Sequence, residues 1–380
     1  MSLSLLVISH TAHVQREGKY YGWGPTVAEL NFLTTKFDQI VHIAPVHDFA
    51  NYIPLSFTEV NPVVRMVPVL NRGGTTILAK FRVLKDSFNY LLLILKELKS
   101  DTELIHVRCP ANISLIALII LIFFPSKRKW IKYAGDWKPR KDFISYKIQR
   151  FIIRNLLSNH IATVNGYYPD EKSFIYHFLN PSFNLEEVKK ASQLGALKTL
   201  PDDFFYLIFV GALEKNKGVD IAIETFRLLT RQHKGQLNII GDGSEMDNLR
   251  RMVVDLGLNE TVCFLGWKNR EEIKFFYEQA HFIILPSQGE GWPKVISEGM
   301  AYGVIPIVSD VSSIKSVLQD IGIGKVISDY SARSYADAIQ TYLANNTEWK
   351  SESSKAMNFA SEFSFEIWWN KLNKYLLIND

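Results

Sequence analysis

The chain has 380 residues, 47% hydrophobic and 22% charged. That composition excludes a disordered or fibrous protein and leaves room for two or three domains with their own cores. Its 43 Lys and Arg exceed its 39 Asp and Glu by only +4, but residues 1–200 hold 25 basic and 15 acidic side chains, a net of +10, and residues 201–380 hold 18 and 24, a net of −6. Charge divided in this way points to an anionic partner for the basic half.

The first apolar run, LSLLVIS (3–9), reads as a core strand. It lacks the basic flank and the small-residue cleavage site of a signal peptide. Further strands are predicted at 40–44, 63–67, 104–109, 129–134 and 160–164, most of them separated by helical patterns. Residues 113–124, ISLIALIILIFF, are almost wholly apolar but number only twelve. A spanning helix needs about 20, so a helix buried against a sheet is expected rather than an interfacial segment. The rhythm breaks over the polar stretch 181–203, the expected joint between domains. Beyond it the alternation is cleaner, with strands at 204–211, 236–241, 262–266, 282–286 and 305–309. Helices are predicted over 219–232, 244–256, 270–279 and 293–302. Buried strands linked by helices build parallel, doubly wound α/β sheets. The expected domains are 1–182 and 200–362, followed by an aromatic-rich amphipathic helix, 363–377, that need not pack on the domain before it. Cys109 and Cys263 lie in apolar strand runs, so inert buried thiols in a reducing compartment are expected.

Chemistry concentrates in SQGEGWPKVISEGMAYGVIPIVSD, residues 287–310. The segment follows a strand, and open α/β sheets bind ligands at the carboxyl ends of their strands. Glu290 lies in a glycine-flanked loop, Pro293 suits a first helical turn, and the helix start offers free amides and a positive dipole end. Glu298 falls eight residues after Glu290 on that helix, leaning back toward the same crevice. Two carboxylates in one crevice suit a ligand with vicinal hydroxyls, although each alone could be an ordinary surface acid. In FVGALEKNKGVDIAIETF (209–226), Gly211 ends a strand and permits close backbone approach, while Lys217 stands at a helix start. A cation there opposes the dipole unless an anion is bound; a solvated loop lysine is the bland alternative. A third turn, GDGSEMDNLR (241–250), is readable as purely structural.

These three motifs, in the chain order 209–226, 241–250 and 287–310, resemble the signature of the retaining glycosyltransferases of family 4, the group 1 glycosyltransferases. The likeness is strong over 204–310 and architectural elsewhere. It implies an α/β GT-B fold, two Rossmann-like domains facing across a cleft with the C-terminal helix crossing back. It implies that a nucleotide-diphosphate sugar occupies the second domain, with Glu298 on the ribose diol, Glu290 on the transferred sugar and Lys217 on the diphosphate. Lys215, Gly291, Trp292 and Pro293 would border the donor, and Gly266 and Trp267 the base. Where the family usually carries an arginine beside the first glycine, this chain has Ala212, which removes one expected diphosphate contact. In the first domain the glycine-rich stretch KYYGWGPTVAEL (19–30) would bring Gly24 to the diphosphate. His106, Arg108 and Asp136 would lie on the acceptor side, Arg108 reaching a phosphate or else serving as a core or salt-bridged arginine, with His10 and His13 as further, more structural, candidates.

No D-x-D triplet and no His/Cys cluster with metal spacing occurs in the sequence. Metal-independent transfer is therefore expected, the cation's role falling to Lys217, backbone amides and a helix dipole, and the resemblance implies retention of configuration at the anomeric carbon. No cofactor is expected beyond the donor. Residues 127–154 hold ten Lys and Arg against two Asp, interleaved with aromatics, which suggests an anionic surface or a phosphate-bearing lipid acceptor at the cytoplasmic face of a membrane, with an ordinary solvated basic face as the alternative. Nothing resembles a nucleic-acid-binding motif. Two alternatives share the scaffold: a sugar-nucleotide-binding protein without catalysis, and a nucleotide-sugar epimerase. A dehydrogenase is disfavoured because no G-x-G-x-x-G follows the first strand.

Overall fold

The computed structural model describes residues 3–47, 52–70, 77–100, 102–138, 143–166, 168, 170–289, 291–311 and 314–376, the side chains of 77–87 excepted. The chain forms two compact units, Met1–Phe178 with Leu372–Asp380, and Leu179–Lys371.

The first unit contains, in chain order, β1 (Ser4–Ile8), β2 (His13–Arg16), β3 (Lys19–Trp23), α1 (Gly24–Leu33), β4 (Gln39–His47), β5 (Phe57–Glu59) and β6 (Val64–Val69). These are followed by α2 (Ile77–Leu98), β7 (Leu104–Cys109), α3 (Asn112–Ile122), β8 (Arg128–Asp136), α4 (Ile144–Asn155), β9 (His160–Asn165) and β10 (Ile175–His177). Its parallel strands run β10-β9-β8-β7-β1-β4-β6, because β1 pairs with both β4 and β7. The strand order therefore reverses beside β1, as in a doubly wound sheet. An antiparallel hairpin, β2–β3, and β5 extend this sheet from β4. The hairpin was not foreseen: KYYGW is strand β3, not a loop after the first strand. The apolar segment 113–124 is helix α3, seated between α2 and α4 against the sheet. Its Ala117, Leu118 and Leu121 are fully buried.

The second unit begins with α5 (Leu185–Gly195), inside the stretch expected to be an irregular joint. The sequence held the signal for it. Asn184 accepts from the Glu187 amide, and the Glu187 carboxylate accepts from the Asn184 amide, a reciprocal capping box. Then come β11 (Phe204–Val210), α6 (Val219–Leu229), β12 (Lys234–Ile240), α7 (Met246–Asp255), β13 (Val262–Gly266), α8 (Arg270–Gln279) and β14 (Phe282–Leu285). The unit continues with α9 (Lys294–Ala301), β15 (Ile305–Ser309), α10 (Ile314–Ile321), β16 (Lys325–Ile327), α11 (Ala332–Leu343), α12 (Asn346–Ala360) and α13 (Phe365–Leu376). The last helix ends in the residues grouped with the first unit, where Tyr375 stacks on Tyr176 at 3.7 Å. All six strands are parallel, in the order β13-β12-β11-β14-β15-β16. In chain order that is 3-2-1-4-5-6, the Rossmann arrangement, with its switch point between β11 and β14. Both strands lie in the middle of the sheet and are apolar on both faces, which is why they read as continuous hydrophobic runs.

Candidate functional site

The second unit brings its motifs together at that switch point. The loop after β11 holds Ala212, a single 3-10 turn over Lys215–Lys217, and Gly218, which caps α6 in the left-handed region at φ 68°. A side chain on Gly218 would meet the Pro286 carbonyl at 2.4 Å, so only glycine lets the two loops close on one another. The Gln288 amide donates to the Asn216 carbonyl at 2.9 Å, tying the lysine turn to the loop that leads to α9. Lys217 is half-buried beside this junction, whereas Lys215 and Ala212 are exposed.

The GDG turn has a structural role. Gly241 has φ 144°, and a Cβ on it would lie 1.8 Å from the Gly211 carbonyl oxygen. The Gly211 amide donates to Ile240 O, Leu213 donates to Asp242 O, and Glu245 donates back to Leu213 O. The Gly241 amide in turn donates to Gly266 O, so the loops after β11, β12 and β13 are stitched along one edge. Trp267, just beyond Gly266, is half-buried on that edge.

Glu298 is half-buried on the second turn of α9. The Tyr277 hydroxyl donates to its Oε2 at 3.3 Å. Glu298 lines a pocket with Glu187, Arg270, Lys274, Tyr277 and Tyr302. Burial raises its carboxyl above the usual range, and the charges of Arg270 and Lys294 with the Tyr277 hydrogen bond offset part of that rise. Arg270 and Lys274 both pair with Glu187 of α5, at 3.1 and 3.5 Å. Sequence reasoning missed these neighbours. The only trace of them was the N-x-x-E capping pattern that starts α5 and supplies Glu187. It also missed Ser287, directly after β14, whose buried Oγ has no partner among the described residues.

Other expectations for this loop change. Glu290 lies outside the described residues. Trp292 is not open to a ligand. It is 7% exposed and stacks on Phe363 at 5.1 Å, packed into the core just ahead of α9. Pro293 is the N-cap residue of α9 rather than part of its first turn. Gly291 is half-buried beside it.

The first unit is corrected more heavily. His106 lies inside β7, fully buried, with its ring stacked on Trp130 at 3.6 Å and Nδ1 3.1 Å from the Trp130 carbonyl. Burial lowers it to about 3, so it is neutral and faces the core instead of an acceptor. Arg108 is equally engaged. Its Nη1 donates to Glu29 Oε1 at 2.7 Å, while Lys132 Nζ donates to Glu29 Oε2 at 2.6 Å. The carboxylate needs both cations to be held in the interior, and the cations need it, so Arg108 is part of a buried ion triad. His13 is buried with its ring against Gly22, whose missing Cβ would lie 2.4 Å from it. Glycine at 22 therefore serves packing. The Gly24 amide is taken by the Ser56 carbonyl at 2.9 Å. His10 is exposed, and Asp136, at the end of β8, is half-buried and accepts from the Lys138 amide at 3.0 Å.

The basic stretch 127–154 is not a single surface. Lys129 is buried, its Nζ donating to the carbonyls of Lys127 and Ser158, and burial lowers it to about 8. Lys132 belongs to the triad, and Arg150 donates to the Tyr133 hydroxyl. Arg154 donates to Glu171 at 3.0 Å and lies over the Trp137 ring. Arg140 and Lys141 lie outside the described residues.

Residues 196–360 match the family described as glycosyl transferases group 1. An uncharacterised glycosyltransferase of Methanocaldococcus jannaschii is 26% identical over 49% of this chain and 53% of its own. The chain thus spans about half the length of that curated relative. An uncharacterised 41.2 kDa protein in the cps region of Klebsiella pneumoniae is 25% identical over 76% of this chain and 80% of its own. Among solved structures, Anabaena HepE in complex with UDP has a TM-score of 0.68 at 15% identity, covering 99% of each chain. That likeness concerns the fold, which is GT-B with two Rossmann-like units.

Proposed function

Because residues 196–360 carry the group 1 glycosyl transferase domain, we propose that the chain transfers a sugar from a nucleotide-diphosphate sugar to a hydroxyl of a glycan or lipid-linked acceptor. One observation carries this reading. The loop holding Lys217 and the loop leading to Glu298 are hydrogen-bonded to each other at the switch point of the second sheet. A diphosphate there meets an ammonium and the amides of a helix start, while a diol meets a carboxylate one turn further along α9.

The chemistry follows from these groups. Glu298 accepts from the ribose diol and fixes the nucleotide. Glu290 holds hydroxyls of the sugar and orients its anomeric carbon. Lys217 and the start of α6 stabilise the charge that develops on the leaving diphosphate, which is where preorganised charge acts most strongly. The acceptor hydroxyl attacks from the same face and gives its proton to the departing phosphate, so the anomeric configuration is retained and no protein nucleophile or metal is used. The likeness to HepE bound to UDP supports testing uridine diphosphate sugars first.

The test is turnover with labelled nucleotide sugars and glycan or lipid-phosphate acceptors, with the product read by NMR. The expected product keeps the donor's anomeric configuration and forms equally well in EDTA. An inverted product, or activity abolished by EDTA, would contradict the mechanism.

A further inference from the structure

Lys198 lies between α5 and β11, outside every sequence motif of the site. Its Nζ donates to the Tyr277 carbonyl at 2.7 Å, the Ala280 carbonyl at 2.6 Å and the Tyr302 carbonyl at 3.0 Å. An ammonium has three donors, and all three are used. Ala280 and Tyr302 are the C-cap residues of α8 and α9, and Tyr277 lies in the last turn of α8. The last carbonyls of a helix have no partner within it and carry the negative end of its dipole. One cation therefore closes the ends of two helices at once.

These two helices supply the side chains around Glu298. Tyr277 donates its hydroxyl to Glu298, and its ring stacks on Tyr302 at 5.9 Å. The same tyrosine thus gives its carbonyl to Lys198 and its hydroxyl to Glu298. At the other end of α8, Arg270 and Lys274 pair with Glu187 of α5. The residue after Lys198 is held as well. The His281 ring accepts the Tyr206 amide at Nδ1 and donates from Nε2 to the Thr199 carbonyl, both at 2.9 Å. Burial lowers His281 to about 4, which keeps that ring neutral.

We propose that Lys198 is a positioning residue for the nucleotide sugar: it fixes the ends of α8 and α9, sets Tyr277 against Glu298, and so aims the Glu298 carboxylate at the ribose diol. The role rests on the reading above, in which Glu298 accepts from that diol. Lys198 acts through the two helices and not on the ligand.

The clamp depends on a proton. Burial pushes the Lys198 ammonium down to about 7, and the Glu278 carboxylate on α8 works against that fall. His281, the other titratable group whose charge would act on it, stays neutral. A neutral amine keeps two donors and turns a lone pair toward the third carbonyl. Donor affinity therefore falls as pH rises through about 7. Stability moves the other way. Between about 7 and the ordinary 10.5 the native state binds fewer protons at Lys198 than the unfolded chain does, so the stability it contributes rises with pH. A lysine that served the fold alone would show the second trend without the first.

The experiment is calorimetry of the full chain with UDP-glucose, GDP-mannose and dTDP-glucose, from about one pH unit below the Lys198 midpoint to about one and a half above it. The wild-type Kd for the probe that binds rises about tenfold over this range, the worth of one hydrogen bond to a charged group. Lys198→Met keeps the stem, binds weakly at every pH and shows no slope. In turnover it raises the donor KM more than it lowers kcat. A wild-type Kd independent of pH, or a slope that survives in Lys198→Met, would overturn the proposal. Melts over the same range show whether Lys198→Met folds. If it does not, the wild-type profile decides alone: a midpoint near 7 supports the clamp and a flat profile overturns it. If no probe binds the wild type, the sugar-nucleotide reading falls. If one binds without dependence on Lys198, the positioning role alone falls.

Discussion

Lys217→Ala lowers turnover by about 10²–10³-fold and leaves the melting temperature nearly unchanged. The size of the effect follows from its position. Removing one preorganised donor from a developing negative charge costs about 3–4 kcal/mol of transition-state stabilisation. Ala212, in the same loop, carries no charge and so recovers none of the loss. The stability change is small because the loop is held by other groups. Gly218 is locked under the Pro286 carbonyl, Gln288 donates to Asn216, and Leu213 and Asp242 are joined through their backbones. Steady-state kinetics with a saturating donor, beside a thermal melt, separates the two effects. Wild-type turnover would exclude Lys217 from the diphosphate.

Glu298→Gln weakens donor binding by about 10²-fold while making the unliganded chain more stable. Each hydrogen bond from a diol to an ionised carboxylate contributes about 1.5–3 kcal/mol, and an amide loses the charge and half of the accepting capacity. The opposite effect on stability comes from the raised carboxyl. Between the ordinary carboxylate range and its raised folded value, the native state binds more protons at Glu298 than the unfolded state does. Stability therefore falls as pH rises through that window, and is greatest below it. Glutamine removes the buried charge and with it that slope. Calorimetry of donor binding, with melts across the acid range, measures both. Loss of affinity together with loss of stability would instead mark Glu298 as a structural residue.

The second unit was the more legible because its strands are buried on both faces and its loops carry the glycines that backbone contact demands. β11 and β14 stand out as apolar runs, and Gly218 and Gly241 mark places where loops touch. What a linear reading could not supply was the order 3-2-1-4-5-6, which makes neighbours of loops about 75 residues apart. Nor could it supply Tyr277 and Arg270 around Glu298, contacts that arise only when α8 and α9 pack. In the first unit, motif position misled. His106 and Arg108 lie on a strand that motif order assigned to the crevice, yet His106 stacks on Trp130 and Arg108 is drawn to Glu29 on α1. Net charge misled in the same way. Ten basic residues in 28 positions look like one surface. Burial of both faces of β8, together with ion pairing and hydrogen bonding, turns Lys129, Lys132, Arg150 and Arg154 inward or onto partners.

The central claim is that the junction of the loops after β11 and β14 binds a nucleotide-diphosphate sugar. A thermal-shift titration of the full chain with a panel of sugar nucleotides and their free nucleoside diphosphates tests it most directly, since a ligand that binds only the native state must raise Tm. The expected result is a saturable rise with at least one sugar nucleotide, smaller with the matching diphosphate, and lost in Glu298→Ala. No rise with any member of the panel, or an equal rise in Glu298→Ala, would contradict it.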